Sequence, residues 1–170
     1  MLFTGTYEHS IDAKNRLAVP SEVRALLARD AAGQGAPGLS ALYVTMGEGQ
    51  SLALYTERDF ERRAEELNHS DMDPDELLAY ERVFYSLANR VEIDSQGRVR
   101  LPDHLLRRAD LGSDVVLIGV KDHLEIRNRQ VWQQSLNDEL TARPGLMMNP
   151  RRAMKRRSNG TNQEQQPGNG

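Results

Sequence analysis

Two short segments carry the side chains best suited to chemistry in this chain, Asp12-Ala-Lys-Asn-Arg16 and Asp94-Ser-Gln-Gly-Arg98. In each, an aspartate precedes an arginine by four residues. Such a carboxylate can accept backbone N–H groups two or three residues on and tighten the loop into an Asx-turn. Gly97 allows a positive φ at the turn exit. Asn15 stands in the matching place of the first segment, and with Asp it is the non-glycine residue that best tolerates that geometry. An arginine leaving a rigid turn can reach a phosphate or pair bidentately with guanine O6 and N7. Lys14 adds a second charge at the first tip, whereas the second has Gln96 there and Arg100 further along the strand. The candidate DNA-contacting residues are therefore Lys14, Asn15, Arg16, Arg98 and Arg100, with Asp12, Asp94 and Gly97 shaping the turns. The first turn is expected to make the stronger contact.

A lone aspartate–arginine pair at this spacing is common and usually just fixes a turn. Here the flanks repeat as well. Ile11 to Pro20 lies over Ile93 to Pro102 at a constant offset of 82 (94 − 12), matching Ile, Asp, Arg and Pro, with apolar residues at Leu17/Val99 and Val19/Leu101. Turn stability alone does not demand the same arginine twice, and duplication is the simplest origin. Each copy reads strand–turn–strand–helix–strand–turn–strand, with the proline closing a half-buried strand and opening a helix over 21–29 or 103–109. Aligning Leu52 with Leu124 lowers the offset to 72 (124 − 52), which places an insertion in the Gly/Ala-rich stretch 30–38, read as a loop. Thr56 to Asp59 reads as a capping box for a helix carrying Phe60, Ala64 and Leu67. Asp73-Pro74-Asp75-Glu76 reads as a helix start whose helix buries Leu77, Tyr80, Phe84 and Leu87 and ends near Asn89. Asn128 caps a last helix with Val131, Trp132, Leu136 and Leu140, of which Trp132 reads as core.

With 170 residues, 38% hydrophobic and 28% charged, the composition is that of a globular protein with a modest core. The absence of a long apolar run and of a signal-like start points to the cytoplasm, without a membrane partner. No cysteine is present, so neither a disulfide nor a thiolate metal site is available. His9, His69, His104 and His123 are scattered, the acidic stretch 71–76 lacks calcium-loop spacing, and no phosphate-binding loop or nucleophile motif occurs. No metal, cofactor or catalytic role is expected. The net charge of −3 argues against nucleic acid only on average. Residues 141–170 hold six basic side chains and one acid, a net of +5, which leaves −8 on residues 1–140. DNA contact needs only a local positive face. The basic run Arg151 to Arg157 suits a nonspecific DNA arm or a solubilising tail, and 158–170 reads as disordered.

The doubled segments, and roughly residues 1–142 around them, resemble the MraZ family of bacterial transcriptional regulators. The resemblance implies an α+β fold of two AbrB-like swapped-hairpin units in a β-barrel-like arrangement with flanking helices. The units are expected at 1–68 and 89–142, each with its closing helix, joined by a connecting helix over 69–88 and followed by a basic, then disordered, tail over 143–170. It implies a ring-like homo-oligomer associated with the nucleoid. The implied partner is double-stranded DNA, at direct repeats upstream of the division and cell-wall gene cluster that contains the chain's own gene, with repression as the expected sign. The family's contacts carry over onto Asp12, Lys14, Arg16, Asp94 and Arg98; Gln96 departs from the pattern by lacking the lysine. The alternative from a different class is an antitoxin-like protein-binding module of the same fold class. Several turns held on one oligomer would bind repeated sites multivalently, with affinity falling steeply in salt.

Overall fold

The computed structural model describes residues 2–33 and 41–145. The chain divides into a body, Met1–Trp132, and a following segment, Gln133–Gly170. In chain order the elements are β1 (Thr6–Ser10), β2 (Arg16–Ala18), α1 (Ser21–Gly33), β3 (Ala41–Met46), β4 (Ser51–Tyr55), α2 (Glu57–Leu67) and α3 (Pro74–Ser86). They continue with β5 (Asn89–Glu92), β6 (Arg98–Arg100), α4 (Asp103–Arg108), β7 (Asp114–Val120), β8 (His123–Asn128) and α5 (Arg129–Ala142). The fold is mixed α+β, and each copy has the strand and helix order read from the sequence.

The two copies are interleaved. An antiparallel sheet runs β1-β7-β8-β4-β3-β5, so β1 of the first copy pairs with β7 of the second, and β5 of the second pairs with β3 of the first. The copies also meet at β4–β8, with Leu52 opposite Ile126. A separate antiparallel ribbon joins β2 to β6, with Leu17 opposite Val99. Among the described residues β1 and β5 remain edges of the large sheet, so backbone pairing closes no barrel.

Period-two alternation fixes the core. In β4, Leu52 and Leu54 enter a central cluster with Leu17, Val44, Val99, Leu117, Leu124 and Ile126, while Ala53 and Tyr55 on the other face join Phe84 in a smaller aromatic cluster. Both faces are covered, which is why all five residues of β4 are buried. Leu17 and Val99 are fully buried, so the ribbon that joins the two turns is anchored in the shared core.

The helices follow local signals closely, with three differences. Thr56 caps α2 by accepting from Asp59 N at 3.0 Å, and its hydroxyl donates to Asp59 Oδ2 at 2.8 Å. Asp73 caps α3 by accepting from Asp75 N, and Pro74 occupies the first turn. Asn128 Oδ1 accepts from Gln130 N and Val131 N at the start of α5. The first difference is in α1, which runs on to Gly33 where a loop was expected from residue 30, because Val23, Leu27 and Ala31 make one buried stripe at four-residue spacing. The rest of the 30–38 stretch lies outside the described residues, as does the basic run Arg151 to Arg157 with the tail beyond it. Secondly, α3 stops at Ser86 and Asn89 already begins β5; Phe84 is buried, but Leu77, Tyr80 and Leu87 are only partly so. Finally, α5 does not bury its stripe: Trp132 is half-buried, and Val131, Leu136 and Leu140 are exposed. No helix among the described residues is long and apolar enough to cross a membrane.

Candidate nucleic-acid interface

Each turn is built by one carboxylate dividing its two oxygens between backbone and guanidinium. In the first, Asp12 Oδ1 accepts from Lys14 N at 2.9 Å and Arg16 N at 3.0 Å. Its Oδ2 accepts from Arg16 Nε at 2.7 Å and lies 2.6 Å from Nη2. In the second, Asp94 Oδ1 accepts from Gln96 N and Arg98 N, both at 2.9 Å. Its Oδ2 accepts from Arg98 Nε at 3.0 Å and lies 2.9 Å from Nη2. The backbone closes both loops in the same way, with Asp12 N donating to Arg16 O and Asp94 N to Arg98 O. Asn15 and Gly97 take φ of 59° and 75°, as their residue types require.

These contacts set the electrostatics. The Arg16 side chain, followed by the backbone N–H groups of Arg16 and Lys14, holds the Asp12 carboxyl down to about 2. The Arg98 backbone N–H, then its side chain and the Gln96 N–H, lower Asp94 in the same direction. Each arginine is thus neutralised by its own turn, and its Nε and Nη2 are occupied. Nη1 of both takes no partner among the described residues, and the side chains stay 32% and 26% exposed.

The ribbon then fixes the two turns relative to each other. β2 and β6 run antiparallel with Arg16 opposite Arg100 and Ala18 opposite Arg98, and the pairing is extended by Leu101 N donating to Asn15 O and Val19 N to Gly97 O. Since Leu17 and Val99 point into the core, positions 16, 18, 98 and 100 share the outward face. Three of the four are arginine. The turns sit at opposite ends of a ribbon only three residues long, separated along it by roughly 7 Å. One end holds Lys14, Asn15, Arg16 and Arg100 together; the other holds Arg98 with Gln96. Lys14 and Arg100 are exposed, and neither has a carboxylate within ion-pair distance among the described residues.

A residue that sequence reasoning missed also belongs here. Arg24, in α1 of the first copy, lies across Gly97 in the turn of the second: a Cβ added there would meet Arg24 Nη1, Cδ and Cζ at 2.8–2.9 Å. Its Nε donates to Val19 O at 3.2 Å. Comparing the copies gives no warning of it, because the offset of 82 puts Leu106 in the matching place. The reciprocal contact is of opposite sign, since Asn15 Nδ2 lies 3.5 Å from Asp103 Oδ1 at the start of α4, and Asp103 pairs with Arg107. No group of three or more histidines and acids among the described residues is placed to hold a metal ion.

The profile of a family described as "MraZ protein, putative antitoxin-like" matches residues 2–79 and again 84–157. The chain belongs to the MraZ family. Its relatives named transcriptional regulator MraZ include that of Finegoldia magna, 34% identical over 137 residues, or 81% of this chain and 88% of that protein. The MraZ relative from Ureaplasma urealyticum is 32% identical over 141 residues, 82% and 91% of the two chains. That from Clostridium tetani is 31% identical over 133 residues, 78% and 86%. Within this MraZ chain, both profile matches contain a complete aspartate–arginine turn.

Proposed function

We propose that the chain is a sequence-specific DNA-binding transcriptional regulator that reads DNA with the outward face of the β2–β6 ribbon. The observation that carries this reading is the placement of Arg16, Arg98 and Arg100 on one exposed face between two rigid turns. Two hydrogen-bonded strands are narrow enough for the major groove, about 12 Å wide, which admits a β-ribbon. The aspartates orient the guanidiniums before DNA arrives, so little side-chain freedom is lost on binding. The names of the relatives point the same way. In this reading Lys14 and Arg100 contact phosphates, while Arg16, with Asn15, and Arg98 approach base edges through their unoccupied N–H groups.

The finer reading follows the family resemblance. The interleaved copies are two AbrB-like swapped-hairpin units, at 1–68 and 89–142, forming a barrel-like body with 69–88 connecting them and 143–170 as a basic tail. Subunits join in a ring-like homo-oligomer in the cytoplasm, at the nucleoid. The ring represses a division and cell-wall gene cluster by binding direct repeats upstream of it, its own gene included. Nothing in this scheme calls for catalysis or a cofactor.

The test is binding of the full chain to a duplex carrying the repeats upstream of its gene, against a duplex of the same length with the repeats scrambled. Preference for the repeats by tenfold or more at 0.15 M salt is expected, and equal binding to both would sink sequence specificity. The family description favours one second reading, an antitoxin-like module that sequesters another protein. In that case, co-purification would recover a stoichiometric protein partner and neither duplex would be bound.

A further inference from the structure

The two turns look unequal in charge, since Lys14 has no counterpart at Gln96. Arg24 removes most of that inequality. It is an exposed residue of α1, yet its guanidinium lies on Gly97, which is buried although Ser95 and Gln96 on the same turn are exposed. The bond from Nε to Val19 O holds it beside the point where Val19 N donates to Gly97 O. Unlike Arg16 and Arg98, it has no carboxylate within ion-pair distance among the described residues. Among the described residues it is the one uncompensated cation touching the second turn.

We propose that Arg24 is a further DNA-contacting residue, giving the second turn, from the other copy, the phosphate contact that Lys14 gives the first. The same contact accounts for the difference between Asn15 and Gly97. Both positions need positive φ, which asparagine or glycine can take. Only Gly97 must also leave room for a guanidinium resting on the backbone. An asparagine there would keep the turn but push aside the far end of a flexible side chain.

This inference rests on the reading of the ribbon as the DNA face, and the experiment separates the two. Binding of the full chain to the duplex carrying its upstream repeats is measured from 0.05 to 0.3 M salt for the wild type, Arg24→Ala, Arg24→Lys, Gly97→Asn and the Ala/Asn double variant. Folding is checked by thermal denaturation. For each ribbon engaged on the duplex, losing one phosphate contact lowers the slope of log K against log salt by about 0.9 and weakens binding about fivefold at 0.15 M. Arg24→Ala and Gly97→Asn should each show both changes, Arg24→Lys should keep the slope, and the double variant should be no weaker than Arg24→Ala. Arg24 is overturned as a contact if Arg24→Ala keeps wild-type affinity. It is equally overturned if affinity drops with the slope unchanged, or if the two substitutions add. Should the wild type show no salt-dependent binding at all, the DNA reading fails first and Arg24 with it.

Discussion

At the scale of single residues, the aspartates prepare the site and the free cations charge it. Asp12 and Asp94 each organise two backbone N–H groups and one guanidinium, so replacing either loosens the turn and the arginine together. The depressed carboxyl makes this measurable. A group whose pKa falls on folding stabilises the fold above its unfolded value and loses that contribution as pH falls through its folded value. For Asp12 the window runs from about 4 down to about 2. The carboxyl carbon of Asp12, followed by NMR, should titrate near 2 in the wild type and move toward 4 in Arg16→Ala; an ordinary midpoint in the wild type would contradict the pairing. The turn residues were legible in the sequence because their roles are local: Asx acceptance, positive φ and a charge four residues on. Arg24 was not, because its contact spans 73 residues (97 − 24) and the repeat places a leucine in the matching position.

At the scale of elements, the short ribbon is the part on which everything else depends. Three paired residues would not hold two turns in register alone; burial of Leu17 and Val99 does so. Leu17→Ala should cost about 2–5 kcal/mol in denaturant unfolding. Because the ribbon is shared, the amides of Lys14 and Gln96 should both exchange faster with solvent, and faster exchange at Lys14 alone would argue for independent turns. A second case lies at the β7–β8 turn, where His123 Nδ1 is 2.8 Å from Asp122 Oδ1 and Nε2 is 3.6 Å from Glu125 Oε1. Burial disfavours the charged ring, but its bonds to Glu125 and Asp122 outweigh that and raise its pKa above 6.5. A raised histidine stabilises below its unfolded pKa and loses that as pH climbs through the folded value. The stability gap between wild type and His123→Gln should therefore be widest at pH 6 and shrink by pH 9; a gap independent of pH would show that the ring acts only by its stacking on Tyr55, with ring centroids 4.9 Å apart. Element types were readable from caps and periodicity. What periodicity left open was how deeply each apolar residue is buried, and α5 shows it, capped as Asn128 foretold yet with Val131, Leu136 and Leu140 exposed.

At the scale of the whole molecule, duplication yields one body in which neither copy completes its own sheet. The hairpins of one copy are paired by the other, and each turn is packed by the opposite copy's helix, α1 on the second and α4 on the first. The repeat was visible in the sequence; the exchange of strands between copies entered through the family resemblance, since pairing partners depend on contacts that no local pattern encodes. With an acidic body of −8 over residues 1–140, a single ribbon would bind DNA weakly, and the proposed oligomer supplies affinity by presenting several ribbons to repeated sites. Duplexes with one repeat should accordingly bind at least tenfold more weakly than duplexes with several; equal affinity would contradict multivalent binding. The central claim, that the outward face of the ribbon is the DNA contact, is tested most directly by replacing Lys14, Arg16, Arg98 and Arg100 together with alanine. Affinity for the upstream-repeat duplex is then compared with wild type at 0.15 M salt, with thermal denaturation confirming the fold. A folded variant weakened at least a hundredfold is predicted, and a folded variant that binds as tightly as the wild type would contradict the account.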